Sequence, residues 1–120
     1  MAKFLHNDVF DGAFNIIKNN CTTMMVCSDQ PTTRAEAISL SLADVAMAPA
    51  DFTLADDVDG RKMVTAAKTG VPVDAGGAPT YVGMIDATRL LLVDTCSGPV
   101  LTVGSTVTFP EWKYNLKDPT

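Results

Sequence analysis

The sequence predicts a mainly β fold: a small β-sandwich or jelly-roll-like domain with one N-terminal α-helix. Three observations point to it. A single amphipathic segment opens the chain, short apolar stretches then recur at roughly ten-residue spacing, and Gly, Pro and Asp-Gly steps separate them. The chain has 120 residues, 47% hydrophobic and 19% charged. That balance fits one folded domain over 1–120, with the helix at about 8–19 and about seven or eight strands over about 22–116.

The helix comes first. Val9, Phe10, Ala13, Phe14, Ile16 and Ile17 recur at spacings of three and four and share a face. Asn7 or Asp8 can cap its start, Asp8 and Asp11 suit the positive end of its dipole, and Lys18 suits the other. Asn19-Asn20 can end it in a left-handed turn. Gly12 lies inside, where glycine costs about 1 kcal/mol relative to Ala, and points to a close packing contact. An aromatic-rich face of this kind must dock, on the protein's own β core or on a neighbouring subunit.

Thr22–Ser28 reads as a strand, apolar enough in its middle to be covered on both faces. Asp29-Gln30-Pro31 breaks it. Thr33-Arg34-Ala35-Glu36 has the spacing of a capping box, so a turn or two of helix through Ala37, Ile38 and Leu40 is expected, although Leu40 and Leu42 also fit a strand edge. Short strands follow at Ala43–Ala48 and Asp51–Leu54. Asp56–Gly60 makes a turn, and Arg61–Lys68 returns as one strand. Thr69–Pro79 reads as a loop with a short extended piece.

Tyr81–Ile85 and Arg89–Thr95 form a hairpin, and the run Leu90-Leu91-Leu92-Val93 predicts a central strand. Val100–Val103 is extended, Thr106–Phe109 alternates, and after Pro110 the residues Trp112, Tyr114 and Leu116 share a face. The proline marks an edge or a bulge. Trp112 and Tyr114 fit either core or interface.

Candidate chemistry is sparse. Asp56, Asp57 and Asp59 could form an oxygen-rich calcium loop, but they lack the order and the later Glu of an EF-hand, and a solvated hairpin turn suits them better. Asp86 and Asp94 flank a hairpin and could pair as two catalytic carboxylates, although strand-end Asp is common in turns. His6 has no second His with which to build a metal site or relay. Gly76-Gly77 lacks the following Lys and Ser/Thr of a phosphate loop. Met24-Met25 resembles a soft-metal pair, but adjacent strand residues face opposite sides, so core packing is expected. Cys21, Cys27 and Cys96 are odd in number and have no zinc-knuckle spacing. Buried thiols are expected at Cys27 and Cys96, less so at Cys21 beside two Asn. No catalytic, cofactor-binding or metal-binding residue is therefore assigned, and the protein is expected not to be an enzyme and to need no cofactor.

Charge narrows the partners. Nine Lys and Arg against fourteen Asp and Glu give −5, which argues against nucleic acid as the main partner. No apolar run suits a secretory signal or a membrane span, so synthesis in a cytosol and no membrane partner are expected.

The order of segments also resembles a known family. The segments are Met1–Ala13 leading to Ile16–Asn20, Met25–Ser28 leading to Gln30–Thr33, Asp51–Thr53, Gly60–Lys62, Ala66–Lys68, Ile85–Leu91 and Leu101–Trp112. Together they resemble small virion proteins of tailed bacteriophages and prophages, over nearly the whole chain. Leu101-Thr102-Val103-Gly104-Ser105-Thr106-Val107-Thr108-Phe109-Pro110 is similar to the end of small β domains on phage particles. The resemblance brings no catalytic motif. It implies a structural protein of the virion, made in the bacterial host cytoplasm: a decoration or cement protein that forms a homo-oligomer and stabilises the major capsid lattice. The alternative is a low-copy tail, collar or fibre-base component, either an adaptor or a receptor-binding module. A third class, an enzyme such as a cell-wall hydrolase, fits the residues least.

Overall fold

The computed structural model describes residues 4–117. Met1–Lys3, which open the segment that carries the resemblance, and Asp118–Thr120 lie outside the described residues. The fold is mainly β, with an N-terminal helix and antiparallel sheets.

Helix α1 spans Asn7–Asn20. Its cap is His6, not Asn7 or Asp8: the imidazole Nδ1 accepts from the Asp8 N–H at 3.1 Å. Asn19-Asn20 does not end it in a left-handed turn. Cys21 is extended and donates its N–H to the Ile17 carbonyl, while the Asn20 side-chain amide donates to the Ile16 carbonyl. Phe10 and Phe14 are buried, and α1 lies against β3 (Phe52–Asp56), β4 (Arg61–Thr65) and a 3-10 turn at Pro49–Asp51. The aromatic face thus docks on the protein's own β core. Lys18 fastens the C-terminal end by donating to the carbonyls of Pro49 and Phe52. Arg61 fastens the other end through both oxygens of Asp11. Gly12 marks no packing contact, since a Cβ there meets nothing within 4 Å.

The principal sheet has four strands in the order β2-β1-β6-β7: Ser41–Ala46, Thr23–Cys27, Tyr81–Ile85 and Leu90–Thr95. Strand β1 is covered on both faces, as its apolar run requires. Met24 and Val26 enter the main core with Phe14, Leu42, Phe52, Met63 and Met84. Met25 and Cys27 enter a smaller core with Ala37 and Ile85 beneath α2 (Arg34–Leu40). The Thr33 hydroxyl caps α2 by accepting from the Glu36 N–H, but the Glu36 carboxylate reaches back to Thr32 rather than to Thr33, so the capping box is half made.

The second layer is a bent ribbon. The expected strand Arg61–Lys68 is two strands, β4 and β5 (Lys68–Pro72), in different sheets. They pair antiparallel with β9 (Trp112–Leu116) and β8 (Thr106–Phe109), and β3 completes the three-stranded sheet beside β4. The bend falls at Ala66–Ala67, just past the last β3–β4 rung, in which the Ala66 N–H donates to the Asp51 carbonyl, and opposite Pro110, which has no N–H to offer. The first four of the eleven residues of the expected loop Thr69–Pro79 are consequently strand. Val100–Val103 is not a strand, because Leu101 alone bridges to Gly77 and a turn follows. The described residues form nine strands in all. β7 is an edge strand, not a central one, despite its apolar run.

Candidate functional site

The two layers do not close on each other where β7 ends. A groove of about 590 Å³ opens between the end of β7 with its following turn and the β8–β9 ribbon. Val82, Cys96, Leu101, Val107, Phe109 and Trp112 give it an apolar lining, with Asp94 and Lys113 also on its walls. Trp112 and Tyr114 are both half-buried and pack against the main core, so the alternation of the last strand points them inward, and Trp112 also reaches the groove. Burial pushes the Cys96 thiol above its ordinary value, with a smaller push from the Asp94 carboxylate, so it stays protonated and is a poor nucleophile. Chemically, the groove offers apolar area to a docking segment.

The sequence-derived candidates fall elsewhere. Asp86 caps the β6–β7 turn. Its carboxylate accepts from the N–H groups of Thr88 and Arg89 and from the Arg89 guanidinium. These donors hold it below the ordinary carboxylate range, with the Thr88 amide the largest influence. Asp94 sits opposite Val82, four positions from Asp86, or about 13 Å at the rise of a strand. Paired glycosidase carboxylates stand roughly 5 to 9.5 Å apart, and these two are not brought together.

In the Asp56–Gly60 turn the oxygens are engaged by the protein. Asp56 pairs with Arg61, and Asp57 accepts from Lys113 and Asn115. The Asp59 carbonyl accepts from Asn115, and Gly60 supplies a φ of 79° that closes the hairpin. Among the described residues no group of three or more His, Cys, Asp or Glu could hold a metal ion. His6 is spent on its helix cap. Gly77 pairs with Leu101 rather than opening a helix, and Met24 and Met25 point into different cores. Cys21 is buried, against expectation, because the helix end folds it under. Burial pushes the Cys21 and Cys27 thiols up to about 11. Cys96 is the one that is partly exposed.

One acidic site has no signal in the sequence. Asp44 on β2 and Asp74 bring their carboxyl groups close together. That contact, then burial, raises the Asp44 pKa. An isolated bridge between Ala43 and Val73 brings the two together across thirty residues. They line a cavity of about 370 Å³ with Thr23, Met25, Arg34 and Ser41. Two neighbouring carboxyl groups resist ionising together, so Asp44 keeps its proton to higher pH than a lone Asp does. Both side chains are exposed, and the Arg34 guanidinium donates to the Asp86 carbonyl.

No helix among the described residues is long and apolar enough to cross a membrane. Compared with family models, curated proteins and solved structures, the chain has no match.

Proposed function

We propose that the protein is a non-enzymatic structural component of a tailed-bacteriophage particle, a decoration or cement protein seated on the major capsid lattice. The observation that carries this is the apolar groove between β7 and the β8–β9 ribbon. It presents aromatic and aliphatic side chains at the surface, its walls contain no histidine, and its one thiol is held protonated by its surroundings. A concavity of that kind favours docking over bond-breaking. Repetition over a lattice multiplies a weak docking contact into firm attachment. The charge of −5 discourages adhesion to packaged nucleic acid.

Copy number per particle, measured by quantitative mass spectrometry of purified virions, tests this role. A ratio to the major capsid protein of one to one or one to two is expected. A count of three, six or twelve would move the protein to the portal axis or tail. Val107→Lys places a charge in the groove from a half-buried position and is expected to reduce binding to undecorated shells at least tenfold, with the circular dichroism spectrum unchanged. Wild-type binding by this variant would remove the groove from the proposal.

A further inference from the structure

The two edges of the principal sheet are treated differently. Strand β2 is covered by the chain itself: Val73 bridges to Ala43, and the N–H groups of Asp74 and Ala75 both donate to the Leu42 carbonyl, at 2.7 and 3.1 Å. Among the described residues strand β7 has no such cover. The Cys96 N–H donates to the Thr80 carbonyl at 2.9 Å, which sets the phase of the β6–β7 ladder. By alternation, Asp94 and Leu92 turn their backbone groups inward to Val82 and Met84, while Val93 and Thr95 turn theirs outward. Thr95 has its N–H satisfied by the Asp94 carboxylate. Val93 has no such partner among the described residues. The ladder with β6 shifts register between Met84 and Ile85 and leaves Leu91 out of the pairing, so the regular edge runs from Leu92 to Thr95; Leu92 and Val93 carry no charge and are half-exposed.

We propose that β7 docks edge to edge, antiparallel, against β7 of a second copy of this chain, joining two four-stranded sheets into one of eight. A second copy fits because antiparallel edge pairing about a two-fold axis is self-complementary. With Val93 on the axis, each Val93 N–H donates to the other Val93 carbonyl. Leu92 then lies opposite Asp94, so no carboxylate faces a carboxylate. The uncharged stretch is also where two chains of charge −5 approach with least repulsion. Nothing in this pairing depends on the particle the protein joins, so failure of the virion role and failure of the edge contact are separate results.

Sedimentation equilibrium of the full chain between about 1 and 500 µM tests the contact, a range that spans the affinity of a small interface. The mass is expected to reach twice 12.7 kDa at the upper end. Val93→Pro removes an outward N–H and leaves the inward ladder intact, so it is expected to stay monomeric with an unchanged circular dichroism spectrum. Val58→Lys, at the fully exposed β3–β4 hairpin tip, is expected to dimerise as the wild type does. Hydrogen exchange on the wild type keeps the test open should Val93→Pro fail to fold. The Val93 amide is expected to slow as concentration rises, whereas the Leu92 amide, bonded inward, is protected throughout. A wild type that stays monomeric across the range, a folded Val93→Pro that still dimerises, or Val93 exchange that ignores concentration would each overturn the proposal.

Discussion

Met24-Met25-Val26-Cys27 in β1 and Leu90-Leu91-Leu92-Val93 in β7 are unbroken apolar runs in one four-stranded sheet. Every residue of the first is buried and every residue of the second is only half covered. β1 has a strand on each side, the main core on one face and α2 on the other. β7 has a strand on one side only, and beyond its end the two layers part around the groove. An apolar run states what the residues need covered. Whether the chain itself supplies the cover depends on where the strand is placed in the sheet.

Several changes would break or sharpen that contrast. The largest effect is expected in β1. Met24→Ala empties a fully buried site in the main core and should cost about 2–5 kcal/mol, read as a lower urea midpoint, with no change in association. The cover on the other face of β1 is thinner. Thr33→Ala removes the α2 cap and should cost about 1 kcal/mol. Because Cys27 lies beneath Ala37, the same variant should speed labelling of that thiol by a reagent that otherwise waits for unfolding. Val93→Lys in β7 should change stability by less than about 1 kcal/mol, yet abolish self-association in sedimentation.

The smallest effects concern pH, and their signs oppose each other. Lys68 holds the Asp51 carboxyl below its ordinary value of 3.8, so this pair stabilises above that value and its contribution fades as pH falls through the lowered one. The Asp44 carboxyl is raised by contact with Asp74. It favours the fold below 3.8, and that contribution is lost as pH rises through the raised value. Urea midpoints measured against pH should therefore lose their acid-side fall in part in Lys68→Met. Asp44→Asn should be slightly more stable than the wild type near neutrality and should lack the gain on mild acidification. An unchanged profile in Asp44→Asn would mean that Asp74 does not raise the Asp44 carboxyl in solution.

Much of the local structure is legible in the residues. The three-and-four spacing from Val9 to Ile17 marks α1, Thr33 and Glu36 mark the start of α2, and the Asp-Gly step at 59–60 marks a hairpin. Each of these signals lies within a few residues and acts through local backbone hydrogen bonds or a shared face. The misreadings have a common cause. The cap of α1 went to His6 because its imidazole lies within reach of the Asp8 amide. Arg61–Pro72 bends at Ala66–Ala67, opposite Pro110, which cannot donate to the ladder. Cys21 is buried because the helix end turns it toward the core. The groove joins Val82 to Trp112, and the Asp44–Asp74 contact joins positions thirty apart. Neither leaves any periodicity behind.

By itself, then, the sequence determined most of the helices, strands and turns, which faces are apolar, and that the chain carries an excess of acid. The tertiary structure alone decided which apolar run lies at the centre of the sheet and which at its edge, where the layers part, and which carboxylates meet a cation, a backbone amide or one another. The division is physical. Helix caps, turns and amphipathic spacing are set by interactions between near neighbours, whereas strand order is set by pairings between distant segments, whose stability depends on the burial the whole assembly achieves.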